Sequence, residues 1–594
     1  LNKLKAIIIN NYNMSTFTQA LDNLSIRNNG ENGQFQEGWS SRSFEEGITK
    51  LFYQLVRVNK NDQRSTINAL YKLYHSLVND AVHHSNNNQI NFLISLLFQT
   101  RDICGGKGEY QLFYSFLPVW DAHFLHPSVH KTLTSMLVLL FDVELTYRRC
   151  GIRQVHSYGS WKDFKKILEV FKNNNSLTDS QAIAVVPTYS IPAFIIELVS
   201  EQFDIITDDN TTTRSLLARW LPREKSKHGW QAHVLAQRLT PTSSKEGTLK
   251  KYRRTIAALN KKLRTVQINQ CSNNWANINF DKDCTSITMA RQKKAFMCQG
   301  SNSEARHRID RQKCSINFTE YINDCRSGKK KIKSARASPG DMVKEFWFNH
   351  SHGCHHMSDT DKDTYNLMWK QQSEDSNLCL RNCVPILDTS GSMTWENCPL
   401  YDAAAIALKI AETSTIGKRV MTFSSSPKWV NLEESDTLDS MVTTLINCSD
   451  VGMSTDMQAA FKLVCDACVS KDMTPEEVED IVLVVLSDMQ ADKGDKSIGH
   501  DIFEEIVNKM FFAAGLTTSH KRPYSPPTMV WWNMRTTNGS PCSTTTKNHL
   551  MMSGYDVSVL SDVMESGIDS LKQLTAWDNL EKMLSKDRYS WAWN

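Results

Sequence analysis

From Phe44 to about Val266 the apolar residues recur three and four positions apart. Ile48, Leu51, Leu55 and Val58 form one such set, Ile90, Leu93, Leu96 and Leu97 a second, and Trp161, Phe164, Leu168 and Phe171 a third. That spacing lays one apolar stripe along a helix, whereas a half-buried strand would alternate. Polar loops interrupt the stripes at short intervals and no fixed repeat period is visible. The pattern predicts stacked helical hairpins of the HEAT type. From Cys383 the pattern changes to short, continuously apolar runs between helical stretches. Strands are expected at 383–388, 419–424, 481–487 and 528–533, and helices at 400–415, 438–447, 455–469, 501–512 and 569–584. Such alternation predicts a parallel sheet with helices on both faces. The fold class expected is therefore a mainly α helical-repeat (HEAT-like) N-terminal part followed by an α/β doubly wound C-terminal domain. The expected boundaries are a disordered arm at 1–42, poor in apolar residues and rich in Asn, Gly and Ser, a helical repeat domain at 43–300, an irregular basic, His- and Cys-rich connecting region at 301–380, and the α/β domain at 381–594.

Composition adds compartment and charge. No run approaches the 18 or so apolar residues of a membrane span, so no membrane partner is expected. Met14-Ser15-Thr16 reads as a natural start. The 15 cysteines follow no disulfide framework, which points to reduced thiols and a cytoplasmic setting. Cys465 and Cys468 read as small buried apolar groups in a helix. The net charge of +4 hides an asymmetry: 28 Lys/Arg against 8 Asp/Glu from Arg214 to Arg336, and 9 against 22 from Asp388 to Lys509. A basic block of that size attracts polyanions, RNA first among them, or docks on the acidic block. Its candidate phosphate contacts are Lys250, Lys251, Arg253, Arg254, Lys261, Lys262 and Arg264 on an amphipathic helix, and Lys329, Lys330 and Lys331 in a compact run. The His350–His356 cluster is the leading zinc candidate, without a remote pair of ligands to complete it.

The sharpest chemistry lies in Asp388-Thr389-Ser390-Gly391-Ser392, which follows the apolar strand Val384–Leu387. A carboxylate and two hydroxyls at spacing two, just past a strand end, suit a hard divalent cation with oxygen ligands. Two later segments extend the set: a polar loop ending in Thr455, and a second apolar strand ending in Ser487-Asp488. Asp-x-Ser-x-Ser, a Thr loop and a strand ending in Asp, in that order, resemble the metal-ion-dependent adhesion site of a von Willebrand factor type A domain. The resemblance implies that Ser390, Ser392 and Thr455 ligate Mg²⁺ (or Mn²⁺) directly, and that Asp388 and Asp488 do so directly or through water. It also implies that a partner protein's Asp or Glu completes the coordination.

Beyond this site, the series Phe98–Glu109, Trp220–Ser226, Leu387–Met393, Leu486–Gln490 and Trp532–Arg535 resembles an uncharacterised family of eukaryotes and large DNA viruses. The layout is similar to the Ro ribonucleoprotein, in which a TROVE module of HEAT-like helices is closed by an A domain and binds RNA. Gly105-Gly106-Lys107-Gly108-Glu109 lacks the spacing of a phosphate loop, and no nucleophile, base and acid array is evident. The expected function is a non-enzymatic scaffold, RNA-binding and carrying an adhesion-type metal site. The alternative is a protein–protein or structural component without nucleic acid; in either case the expected setting is cytoplasmic, with virus association as the other option.

Overall fold

The computed structural model describes residues 27–29, 35–37, 43–56, 63–208, 215–299, 307–352, 357–376, 378, 380–394, 398–424, 426–448, 456–489, 503–536, 539–564 and 567–593. Within the expected disordered arm, β1 (Arg27–Asn29) and β2 (Phe35–Glu37) pair antiparallel, which corrects that expectation locally. The rest of the arm lies outside the described residues.

The N-terminal half is mainly helical. Its framework includes α1 (Phe44–Gln54), α2 (Asn87–Arg101), α3 (Asp163–Asn174) and α4 (Lys245–Leu263). The region expected to be an irregular connection, 301–380, is instead largely helical, with α5 (Ile309–Arg326), α6 (Pro339–His352) and α7 (Asp359–Asp375). Its stripes hide in residues that read as chemistry. In α5 the buried face is Cys314, Phe318, Tyr321, Ile322 and Cys325, with two thiols serving as small apolar groups. Of the zinc candidates, His350 serves the fold by polar bonds: its Nε2 bonds Asp439 at 2.9 Å and Thr443 at 2.8 Å, so it fastens α6 to the helix Leu438–Cys448, while Cys354, His355 and His356 lie outside the described residues.

The C-terminal half is built on a six-stranded sheet. Its strands are β3 (Cys383–Asp388), β4 (Arg419–Phe423), β5 (Lys428–Asn431), β6 (Val482–Ser487), β7 (Thr528–Asn533) and β8 (His549–Ser553). Their order is β5-β4-β3-β6-β7-β8, parallel except for the antiparallel edge β5. The chain starts at β3, moves out to β4 and β5, and returns to the opposite side of β3 with β6. The direction in which the chain winds across the sheet therefore reverses between β3 and β6, where open α/β sheets place their crevice. The helix expected at 569–584 is broken, into Ile568–Leu571 and Ala576–Leu584, because Thr575 and Asp578 form a capping box that starts a new helix.

Strand periodicity assigns the two sheet faces. Ile386, Leu483, Val485, Met529, Trp531 and Met551 join one apolar core with Met457–Ser470 and Phe503–Thr517. Leu387, Val482, Val484, Leu486, Val530, Trp532, Leu550 and Met552 join another, and that core runs on without a break through the N-terminal helices. The helical half and the sheet thus bury apolar surface against each other. Among the described residues no single helix is long and apolar enough to cross a membrane.

Candidate metal centre at the sheet rim

Asp388 ends β3 and Ser487 ends β6, next to each other at the carboxyl edge. Asp388 and Asp488 are both fully buried, and Ser390 nearly so. The loop after β3 folds back on itself. The Ser390 backbone N–H donates to Asp388 Oδ1 at 2.8 Å, and the Ser487 hydroxyl donates to Asp388 Oδ2 at 2.5 Å. Ser487 Oγ in turn accepts the Met489 N–H at 2.9 Å. The hydroxyls of Ser390 and Ser392 lie 3.0 Å apart. Thr389 is turned away from this group: its N–H and hydroxyl both donate to the Phe423 carbonyl, which ties the loop to β4.

The electrostatics are lopsided. Burial, and then the charge of Asp488, push the Asp388 carboxyl up to about 7, against the pull of hydrogen bonds from Ser487 and Ser390. The cation facing Asp488 is Arg535, whose Nη2 and Nε lie 2.9 and 3.2 Å from Oδ2. Sequence reasoning missed Arg535. The signal was available, since Trp532-Asn533-Met534-Arg535 follows an apolar strand one position along the sheet from Asp488.

Of the five expected ligands, the structure brings Asp388, Ser390, Ser392 and Asp488 to one rim. Thr455 lies outside the described residues. Its neighbour Asp456 donates its N–H to the Ser424 carbonyl, one residue past the end of β4. Among the described residues no group of three or more His, Cys, Asp and Glu side chains is placed to hold a metal. The rim offers two carboxylates and hydroxyls, a hard oxygen set. Mg²⁺ binds at about 2.0–2.1 Å, so adjacent octahedral ligands sit about 3 Å apart. The 3.0 Å between the Ser390 and Ser392 hydroxyls fits that edge. The residues present therefore suit Mg²⁺ or Mn²⁺ and do not suit a thiolate- or imidazole-seeking ion.

The expected basic residues are placed as follows. Lys250, Lys251, Arg253, Arg254, Lys261, Lys262 and Arg264 are all exposed on or just past α4, while Tyr252, Ile256 and Leu259 form its buried stripe. Arg253 pairs with Glu224 at 2.5 Å. Lys329 and Lys330 share Asp324, at 3.9 and 2.9 Å, and Lys331 is exposed. Other ion pairs of the basic block run to Asp310, Glu345 and Asp363. None of these reaches the acidic block, so they give no support to docking of one block on the other.

Comparison with known proteins adds relatives of unassigned role. Residues 382–589 match a family described as a domain of unknown function, DUF7788, and residues 202–376 match another, DUF2828. The second match runs through residue 300, where a domain boundary was expected. The chain is similar to the uncharacterized protein L728 of Acanthamoeba polyphaga mimivirus, 25% identical over 491 residues that cover 81% of this chain and 77% of that protein. Among solved structures, the Ro protein of Deinococcus radiodurans superimposes with a TM-score of 0.38 at 12% identity, over 87% of this chain and 98% of that one.

Proposed function

We propose that this chain is a non-enzymatic binding scaffold. In this reading the sheet rim holds Mg²⁺ or Mn²⁺ through Asp388, Ser390, Ser392 and Asp488, with Thr455 as the fifth ligand, and a partner protein's carboxylate completes the coordination. One observation carries it. Two fully buried carboxylates stand at the sheet's switch point, with one guanidinium on Asp488 and two hydroxyls at octahedral-edge spacing. Buried like charges raise the energy of the metal-free state, and a divalent cation offsets that cost. Ser390 and Ser392 bond each other, an arrangement suited to ligands and not to an activated nucleophile. The exposed cations of α4 supply the second part of the reading, an RNA-binding face on the helical half.

Calorimetric titration of the purified chain with Mg²⁺ and Mn²⁺ tests the metal site. At about 100 times Kd the ion adds about 2.7 kcal/mol of stability, read as a rise in Tm. Asp388→Ala is expected to abolish both the heat of binding and the rise. Equal binding by the variant overturns the reading.

A further inference from the structure

One signature is left over by the metal rim, Trp220–Ser226, which starts at the last residue of the short helix Leu217–Trp220, and it lies against the first turn of α3. The fold brings them together. The half-buried Trp220 ring has Lys165 Nζ 4.9 Å from its centroid, the Arg219 guanidinium 5.5 Å away and Lys162 Nζ 5.8 Å away. Lys166 stands beside Lys165 on the same turn of α3. The neighbouring acids are committed elsewhere. Asp163 is buried against Arg101, at 3.0 and 2.9 Å, and accepts the Tyr114 hydroxyl. Glu169 accepts from His228 and Trp230 at 3.1 and 3.0 Å and lies 3.6 Å from Lys172. Glu224 holds Arg253. The π face of one indole is thus the partner that Lys162, Lys165 and Arg219 share among the described residues. Burial, with repulsion from Lys162 and Lys166, depresses Lys165 to about 8, and burial lowers Arg219. Folding gathers like charges around an aromatic ring at a cost, and an anion between them reverses it.

We propose that Trp220 and the cations Lys162, Lys165, Lys166 and Arg219 form a binding site for single-stranded RNA, with a base stacked on the indole and flanking phosphates held by the lysines and arginine. The inference deepens the RNA-binding part of the reading above and rests on it. A single strand is favoured because stacking on a side chain needs an unpaired base. A phosphate draws the ammonium groups off the ring and frees its face. A cavity begins two residues along the chain from Trp220. The Tyr252 hydroxyl of α4 donates to the Pro222 carbonyl at 3.1 Å, and a cavity of about 550 Å³ lies between Pro222–Lys225 and Tyr252–Ala257, lined by Arg223, Lys225 and Arg253. A strand running from Trp220 toward Pro222 would meet this cavity, where Arg223, Lys225 and Arg253 outnumber Glu224.

The test is fluorescence anisotropy of a labelled single-stranded 10-nucleotide oligouridylate with the full chain, alongside a duplex RNA. The variants are Trp220→Leu, the double variant Lys162→Gln/Lys165→Gln, and, as a control, Lys72→Gln/Lys131→Gln at two exposed lysines outside the basic block. Trp220→Leu is expected to weaken single-strand binding about tenfold, the range of one lost base stack. The Lys162/Lys165 variant is expected to weaken it and to reduce the slope of log K against log salt by about 1.4, for two phosphate contacts on a single strand. The control is expected to bind as the parent does. Binding by the parent that survives both site variants overturns this site and leaves an RNA scaffold standing. No binding by the parent overturns both. Equal loss in the control overturns the site in favour of diffuse charge.

Discussion

The carboxyl edge of the sheet has two halves that solve opposite problems. Over β7 and β8 the C-terminal turn of α1 is pressed onto the rim, and its orphan carbonyls all find donors. Ser553 Oγ donates to Phe52 O at 2.8 Å, Asn533 Nδ2 to Tyr53 O at 3.0 Å, and Thr536 Oγ1 to Gln54 O and Val56 O at 2.8 and 2.7 Å. Lys107 Nζ reaches Leu55 O at 3.1 Å and also bonds Phe52 O. Gly105–Gly108, which looks like a phosphate loop, instead delivers a buried lysine as a plug for a helix end. Gly554 fits here because a Cβ would come within 3.0–3.2 Å of Lys107 at φ +111°. Over β3 and β6 the same edge gathers like charge instead: two buried carboxylates beside two serine hydroxyls, with Arg535 facing Asp488. Matched donors and acceptors make a joint. Two buried carboxylates side by side make a candidate site.

The comparison breaks most sharply at the fastening beside the joint. Asp102 is fully buried and is gripped by Arg588 at 2.5 and 2.6 Å and by the Tyr589 hydroxyl at 3.0 Å, which bolts the C-terminal segment to the N-terminal helices. Arg588→Met leaves that carboxylate without its cation, and losing one partner of a buried pair costs about 3–5 kcal/mol. The Tm is expected to fall by the largest amount of any single change, and by the same amount with and without Mg²⁺. A loss that Mg²⁺ repairs contradicts the division of the rim into joint and site.

Arg535→Met is the matching change in the open half. Asp488 then stands buried with neither guanidinium nor ion, and stability in EDTA is expected to fall by about 3 kcal/mol. Here Mg²⁺ is expected to restore a large part of the loss, because the ion takes over the role of the guanidinium. The variant's Mg²⁺-dependent rise in Tm therefore exceeds that of the parent. Equal rises sink the idea that Arg535 and the ion balance the same charge. Arg535 also contacts the joint, since its N–H donates at 3.2 Å to the side chain of Asn533, which itself holds Tyr53 O.

What the sequence made legible follows the strength of each local signal. The strands β3, β4, β6 and β7 announce themselves as apolar runs because parallel strands are buried on both faces. β5, a four-residue edge strand with exposed Trp429, and β8, His549-Leu550-Met551-Met552-Ser553, carry little β-branched character and escaped. The helices between 309 and 375 escaped because their buried faces use Cys, Tyr, Trp and Met among many charges. Asp388, Ser390, Ser392 and Asp488 were legible because spacing within a loop and position after a strand are local facts. Arg535, the Trp220 cluster and the Lys107 plug were not, because each depends on which distant segments the topology juxtaposes.

The smallest expected effect is also the most discriminating. Asp388→Asn keeps the side chain's size. It keeps the Ser390 N–H as a donor to the amide oxygen, and Ser487 Oγ can turn to accept from the amide nitrogen in place of donating. What is lost is one of two buried negative charges. If the open rim is strained by like charge in the absence of metal, this variant gains stability in EDTA, by about 1 kcal/mol, the scale of gains commonly found when a functional site is relieved. In saturating Mg²⁺ the order is expected to invert, because the parent gains the ion's binding energy and the variant does not. Paired thermal melts in EDTA and in Mg²⁺ read both signs. At the joint the comparable change, Asp102→Asn, is expected to destabilise under both conditions, since Arg588 would then lose its counter-charge. A crossing of the two curves at Asp388, with parallel curves at Asp102, separates a rim built to take a cation from one that merely contains a buried acid.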